Sequence, residues 1–296
     1  MKFFSYLVLI RPANILTAVS DVVAGLAIAG YLQYLTFPDH WLSALLLICS
    51  TIGLYAGGIV FNDYFDLPLD RVERPERMLP SGRIAAGHAM IFGILLLIFG
   101  VITAFMASSG SGIIALLISF AALVYDKYVK HHAVFGPLNM GICRGLNLLL
   151  GMSIVPLITL GNLPFLALMP VVFIAAVTLT SRGEVSGNNR SSVFFALCLD
   201  LVIAATLVWL GYRGILELKV VIPFVALWFL MNFYAKVRAI MNNEPRLVML
   251  AVKTGVLSLI PLNASYVAGF GHWVYALAVL ALLPLAILLS RKFSVT

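Results

Sequence analysis

Charge is scarce in this chain. Only 10% of its residues are Asp, Glu, Lys or Arg, while 62% are hydrophobic and the mean hydropathy is +1.06. A soluble domain carries about 25% charged residues, so a water-soluble globular protein is excluded and a polytopic membrane protein is indicated. Cysteine is also scarce. Cys49, Cys143 and Cys198 sit in apolar runs with no C-x-x-C or Cys/His spacing, the pattern of small buried side chains, and they do not fix a redox compartment. The five histidines show no zinc-ligand spacing either. Long polar stretches are missing, so no separate soluble domain is expected and residues 1–296 read as one transmembrane domain. The amino-terminal "MKFFSYLVLIRP" imitates a signal peptide, but Arg11-Pro12 interrupts its short apolar run and no small-residue cleavage site follows. It is expected to be retained as an interfacial lead-in.

What the chain does have is apolar runs near the ~20 residues needed to cross a bilayer. They fall at 14–35, 41–62, 87–107, 112–126, 137–158, 163–181, 192–211, 219–237, 247–270 and 273–290. If the last two form one span and a re-entrant piece, the count is nine instead of ten. The expected fold class is therefore all-α, a transmembrane bundle of nine or ten helices.

The loops alternate in charge. One set contains Lys2 and Arg11; Arg71, Arg74, Arg77 and Arg83; Lys127 and Lys130; Arg182 and Arg190; Lys236, Arg238 and Arg246; and Arg291 with Lys292. That is fifteen of the nineteen basic residues, and the other set carries only Arg213, with Lys219 at its edge. The positive-inside rule places the first set in the cytoplasm, with the cell membrane as the expected location. The net charge of +7 then reports topology and contact with anionic lipid, and no nucleic-acid partner is expected.

The longest polar loop follows the second run and opens with "FNDYFDLPLD". Asn62, Asp66 and Asp70 are spaced i, i+4, i+8, so a helix continuing past the membrane surface would present them on one face beside Asp63. Hard oxygen donors at that spacing suit Mg2+, which binds a few carboxylates and completes its shell with water and phosphate oxygens. A solvated acidic loop with arginine partners is the plainer alternative. Pro68 removes a backbone donor and marks a kink between Asp66 and Asp70. If the site holds a diphosphate, other loops on the same side must contribute. "YDKYVKHH" offers Tyr125, Lys127 and Lys130, and "TSRGEVSGNNR" offers Arg182, Glu184 and Arg190. Within the spans, Asp21, Arg144, Asp200 and Lys253 should face the bundle interior and pair with one another. Arg144, one helical turn from Asn147, could also reach a cavity.

"NDYFDLPLD" resembles the first Asp-rich motif, NDxxDxxxD, of the UbiA superfamily of intramembrane prenyltransferases. "RPERMLPSGRI" and "RPANILT" resemble that family's RPxRPLPSG and RPxN stretches. The resemblance implies a bundle, generally of nine helices, around a central cavity open sideways to lipid. It also implies Mg2+-dependent transfer of a prenyl group from an isoprenoid diphosphate to an aromatic or other lipophilic acceptor. In that reading Asn62, Asp63, Asp66, Asp70 and Glu184 are catalytic, with Asn62, Asp66, Asp70 and Glu184 as metal ligands. Arg77, Tyr125, Lys130, Arg144 and Arg182 bind substrate. The second Asp-rich motif departs from the family: Gly183-Glu184 match Gly-Asp, and Thr180 stands where an upstream aspartate would be. The Ser-Arg-Gly-Glu at this point resembles an EboC-like branch. A transporter, or a non-catalytic prenyl-lipid-binding protein on the same scaffold, is the rival reading.

Overall fold

The computed structural model describes residues 2–35, 38–181, 189–242 and 244–293. In chain order the helices are α1 (Lys2–Leu9), α2 (Pro12–Ile28), α3 (Pro38–Phe65), α4 (Leu67–Glu73), α5 (Ala86–Ala107), α6 (Ser109–Val124) and α7 (Phe135–Met152). They continue with α8 (Leu168–Ser181), α9 (Arg190–Tyr212), α10 (Leu218–Asn242), α11 (Pro245–Leu257), α12 (Leu259–Gly269), α13 (Trp273–Leu280) and α14 (Leu282–Lys292). The described residues contain no strand.

Among the described residues, eight helical spans are long and apolar enough to cross a membrane, with α11–α12 and α13–α14 each counting as one. The remaining two apolar runs of the sequence are α2 and α7, against an expectation of nine or ten helices. They differ from the others for a physical reason: α2 is only 17 residues long, and α7 carries Arg144, Asn139 and Asn147. The expected runs at 14–35 and 137–158 are correspondingly shortened. Gly30, with φ 67°, turns the chain after α2, and α7 stops at Met152, before Pro156. This is an integral, multi-pass helical protein, and its most apolar helices have many lipid-side residues exposed, such as Leu95 and Phe120.

The interior is built by α2, α7 and α12. All eleven residues of α12 are buried, and it packs on α2, α10 and α13. The contact of α2 with α7 is a backbone approach at Gly25 and Gly151. A Cβ on Gly25 would lie 2.3 Å from the Leu148 carbonyl oxygen, and one on Gly151 would lie 2.2 Å from that of Val22. Small residues at such crossings let helices approach closely where lipid leaves no hydrophobic drive for association.

The intramembrane charges pair, though not all as expected. Asp21 meets Arg144 at 2.8 Å, whereas Asp200 meets Lys236 at 2.5 Å instead of Lys253. The sequence had placed Lys236 in a basic loop. In fact α10 runs on to Asn242, so Lys236 is carried inside and fully buried, its ammonium 5.6 Å from the Phe173 ring centre.

Gly25→Ala is expected to push α2 off α7 and to cost about 1–3 kcal/mol, the usual penalty of overpacking. Gly87→Ala, whose added methyl meets nothing within 4 Å, should leave stability unchanged or slightly raised. Unfolding midpoints of the two variants in detergent check the contrast.

Candidate functional site: a charged mouth over an apolar cavity

The Asp-rich motif begins in the last turns of α3. Helix α3 ends at Phe65 and α4 starts at Leu67, with Pro68 in its first turn, where a missing N–H costs nothing. The join is tight: the Asp66 N–H donates to the Asn62 carbonyl at 3.0 Å and the Asp70 N–H to the Asp66 carbonyl at 2.8 Å. The expected kink is therefore a near-continuous turn that keeps the three side chains together.

Each member of the motif is held by a partner from another part of the chain. Asn62 donates to the Asp126 carboxylate at 2.8 Å. Asp63 accepts from Arg11 at 2.6 Å, with Arg77 3.7 Å away, and Asp70 accepts from Arg77 at 2.8 Å. Asp66 pairs with Lys130. Asp63, Asp70 and Asp126 are buried, so these are not the loose surface pairs that contribute little.

Two local distortions make this possible. Arg11 has φ 49° and ψ 71°, and it is the one non-glycine residue with positive φ among those described. Such a conformation costs on the order of 1–3 kcal/mol and persists only where surrounding contacts enforce it; here it stands immediately before α2, and the side chain is fixed on Asp63. At the end of α6 the helix widens into a π-helical turn, Tyr125–Val129, closed by the Lys130 N–H on the Tyr125 carbonyl at 3.0 Å. Single π turns recur at functional sites. This one brings Tyr125, Asp126 and Lys130 to the same cavity, while Lys127 stays exposed against the Tyr128 ring.

The cavity below measures about 370 Å3, within the ~300–1,000 Å3 range of small-molecule sites. Its mouth is lined by Arg11, Asn62, Arg74, Arg77, Asp126 and Lys130, and its walls by Leu54, Ile118, Ile174, Val177, Val252 and Val256. Tyr55, Arg144 and Asn147 also line it, and they belong to a polar network that anchors the interior. Asp21, with no exposure, accepts from Arg144 at 2.8 Å, Asn147 at 2.9 Å and Asn263 at 2.6 Å. Arg144 also donates to Thr17 at 2.7 Å and to the Tyr55 hydroxyl at 2.8 Å, its guanidinium 4.6 Å from the Tyr55 ring centre.

The structure thus places Asn62, Arg77, Tyr125, Lys130 and Arg144 in the cavity lining. Asp63, Asp66 and Asp70 stand at the mouth, bound to Arg11, Lys130 and Arg77. Arg182 and Glu184 lie outside the described residues. Thr180, at the departure in the second motif, is buried and donates to the Ala176 carbonyl at 3.0 Å, while Thr178 and Ser181 line the cavity. Among the described residues, no three His, Cys, Asp or Glu side chains converge as they stand on a point where a metal could sit. Sequence reasoning missed Asp126 and Arg11. The first lay unremarked in a cluster read for its lysines, and its signal was a carboxylate at an apolar helix end, facing the Asp-rich loop.

Fold and site define a multi-pass membrane protein with an apolar chamber closed at one end by alternating carboxylates and cations. Comparison with known proteins agrees. Residues 23–238 match the UbiA prenyltransferase family, and the chain belongs to that family. It is 36% identical over 144 residues to a digeranylgeranylglyceryl phosphate synthase of Methanothrix thermoacetophila, covering 48% of this chain and 52% of that protein. The chain thus spans about half the length of that curated relative. A protein of the same name from Sulfurisphaera tokodaii is 27% identical over 238 residues, 78% of this chain and 81% of its own. The structure of a UbiA homolog from Archaeoglobus fulgidus bound to GPP and Mg2+ shares the fold. Its TM-score is 0.67 at 16% identity, over 94% of this chain and 99% of that one.

Removing one partner of a buried pair strands the other and typically costs about 3–5 kcal/mol, while replacing both with apolar groups of similar size recovers much of that. Asp21→Leu should therefore destabilise the protein severely. Asp21→Leu with Arg144→Met should unfold at a higher temperature than Asp21→Leu alone, which thermal unfolding in detergent measures.

Proposed function

We propose that this chain transfers a prenyl group from an isoprenoid diphosphate to a lipophilic acceptor, with Mg2+ at the mouth of the cavity. The observation that carries this reading is the polarity of the chamber: one end is charged with both signs, and the walls are mainly aliphatic, with Tyr55, Arg144 and Asn147 set among them. A molecule with a diphosphate head and a hydrocarbon tail has the same distribution of polarity.

The donor set fits a hard divalent cation. Asn62, Asp63, Asp66, Asp70 and Asp126 bring oxygen donors to adjoining turns, and Glu184, outside the described residues, is the expected contribution of the second motif. Mg2+ held there would offset the charge of the diphosphate as its C–O bond breaks. The protein's cations have the complementary task. Arg77 and Lys130 are held by Asp70 and Asp66 at the cavity edge, and either can exchange its carboxylate for a phosphate oxygen without crossing the site. Arg182 is assigned the same role, and the Tyr125 hydroxyl a hydrogen bond to the head group.

In the reaction, the bond between the prenyl C1 and the diphosphate oxygen breaks and the electron pair leaves with the diphosphate. C1 then bonds to a nucleophilic atom of the acceptor, which loses a proton. Stabilising the leaving charge is the main contribution of such a site, and the aliphatic walls keep water from the allylic cation. Arg144, fixed on Asp21 and Tyr55, is a preorganised donor for a polar group entering from the chamber. The relatives' name supports an alkylated glyceryl phosphate as the acceptor class in preference to an aromatic ring. We place the mouth on the cytoplasmic side of the cell membrane from the basic bias of its loops, and we take residues 1–296 as one domain.

The test uses the intact protein in detergent with Mg2+, radiolabelled prenyl diphosphates of graded length and a lipid extract as acceptor. Native protein should release diphosphate and form labelled lipid. Asp66→Ala, with an unchanged unfolding midpoint, should lose on the order of 10²-fold or more. Turnover indifferent to Asp66 or to chelation of Mg2+ would overturn the assignment, and Mg2+-dependent binding without turnover would make the chain a binding protein or transporter.

A further inference from the structure

A second cavity, of about 500 Å3, lies at the turn between α10 and α11. It is lined by Arg238, Arg246 and Lys253 together with Glu244, Met249 and Leu250. The residues Arg246, Met249, Leu250 and Lys253 follow the i, i+3, i+4, i+7 pattern of one helix face. Val252 and Val256, on another face of α11, line the chamber described above, so α11 is a wall with a cavity on each side.

We propose that this outer cavity binds the phosphate head group of an anionic membrane lipid, with the acyl chains running along Met249 and Leu250. Three cations meet one carboxylate there, and among the described residues none of the three forms an ion pair. Among the described residues Arg238 reaches its neighbour Tyr234, 5.5 Å from the ring centre, and Lys253 donates to the Ser290 carbonyl at 3.3 Å. This differs from the mouth of the main chamber, where every carboxylate of the first motif is matched by a cation.

Topological bias explains basic residues at a loop, and Arg238 and Arg246 alone would need no more than that. Lys253 is the exception. It lies within an apolar span, level with Ser290 near the end of α14, where it meets a carbonyl oxygen and, among the described residues, no carboxylate. An ammonium within an apolar span is expensive unless paired with an opposite charge or turned toward the interface. A phosphate lodged between Arg246 and Lys253 would satisfy it. The choice of a lipid over a free anion rests on the exposed neighbours: Met249 and Leu250 are 44% and 43% exposed, an apolar flank that inorganic phosphate would not use. Basic pockets between transmembrane helices are recognised hosts for anionic head groups.

Thermal unfolding of the delipidated, intact protein in neutral detergent tests this, with phosphatidylglycerol, phosphatidylcholine or inorganic phosphate added. Phosphatidylglycerol should raise the midpoint by roughly a few degrees in a saturable manner, as a ligand of the folded state does. Phosphatidylcholine and phosphate should not. Arg246→Gln with Lys253→Gln should abolish the shift while leaving the lipid-free midpoint unchanged. An equal shift with phosphatidylcholine, an undiminished shift in the double variant, or the full effect from phosphate alone would overturn the proposal. Should the double variant lose stability without lipid, native mass spectrometry of Arg246→Gln decides, since Arg246 is exposed. Undiminished retention of phosphatidylglycerol by that variant would then overturn it.

Discussion

A charge inside an apolar bundle must meet another charge, and this constraint organises the molecule. Asp21 on α2 can be buried only because Arg144 on α7 reaches it, and that pair sits on the crossing where Gly25 and Gly151 let the two backbones touch. Asp200 and Lys236 tie α9 to α10 in the same way. The two inward runs that fall short of a regular membrane span, α2 and α7, are the ones that carry the Asp21–Arg144 pair and its neighbours. Their polarity is tolerated because α12 and the outer helices shield them from lipid.

The same rule explains the mouth. Asp63, Asp66 and Asp70 are followed within the chain by Arg74 and Arg77 and faced by Lys130 and Arg11, so the cluster is near neutral as it stands. In the proposed function this arrangement of alternating signs would accept a metal ion and a diphosphate with little reorganisation, the carboxylates turning to the cation and the arginines and lysine to the anion. Arg11 holds a left-handed backbone and α6 ends in a π turn, two local departures of the kind that collect at functional sites.

Much of this was legible in the sequence, and what was not has physical causes. The ten apolar runs and the acidic loop are composition and spacing, which a linear reading sees well. Helix ends were less visible: the runs at 14–35 and 137–158 continue as apolar sequence past the points where Gly30 and Ser153 end the helices. Pairing was the hardest. Lys236 read as a loop lysine because it stands at the very end of the run at 219–237 and nothing local says that α10 continues to Asn242, and Asp200 was left to seek Lys253. Asp126 and Arg11 were passed over because their partners, Asn62 and Asp63, are 64 and 52 residues away. Such separations are set by the packing of helices, not by any motif.

The central claim is that the mouth and chamber together recognise a diphosphate with a hydrocarbon tail. The most direct test is titration of the intact protein with an unreactive prenyl thiodiphosphate and with inorganic diphosphate, each with and without Mg2+. The account predicts tight binding of the prenylated compound only when Mg2+ is present, weakening as the tail is shortened. Binding independent of Mg2+, or equally strong for diphosphate without a tail, would contradict it.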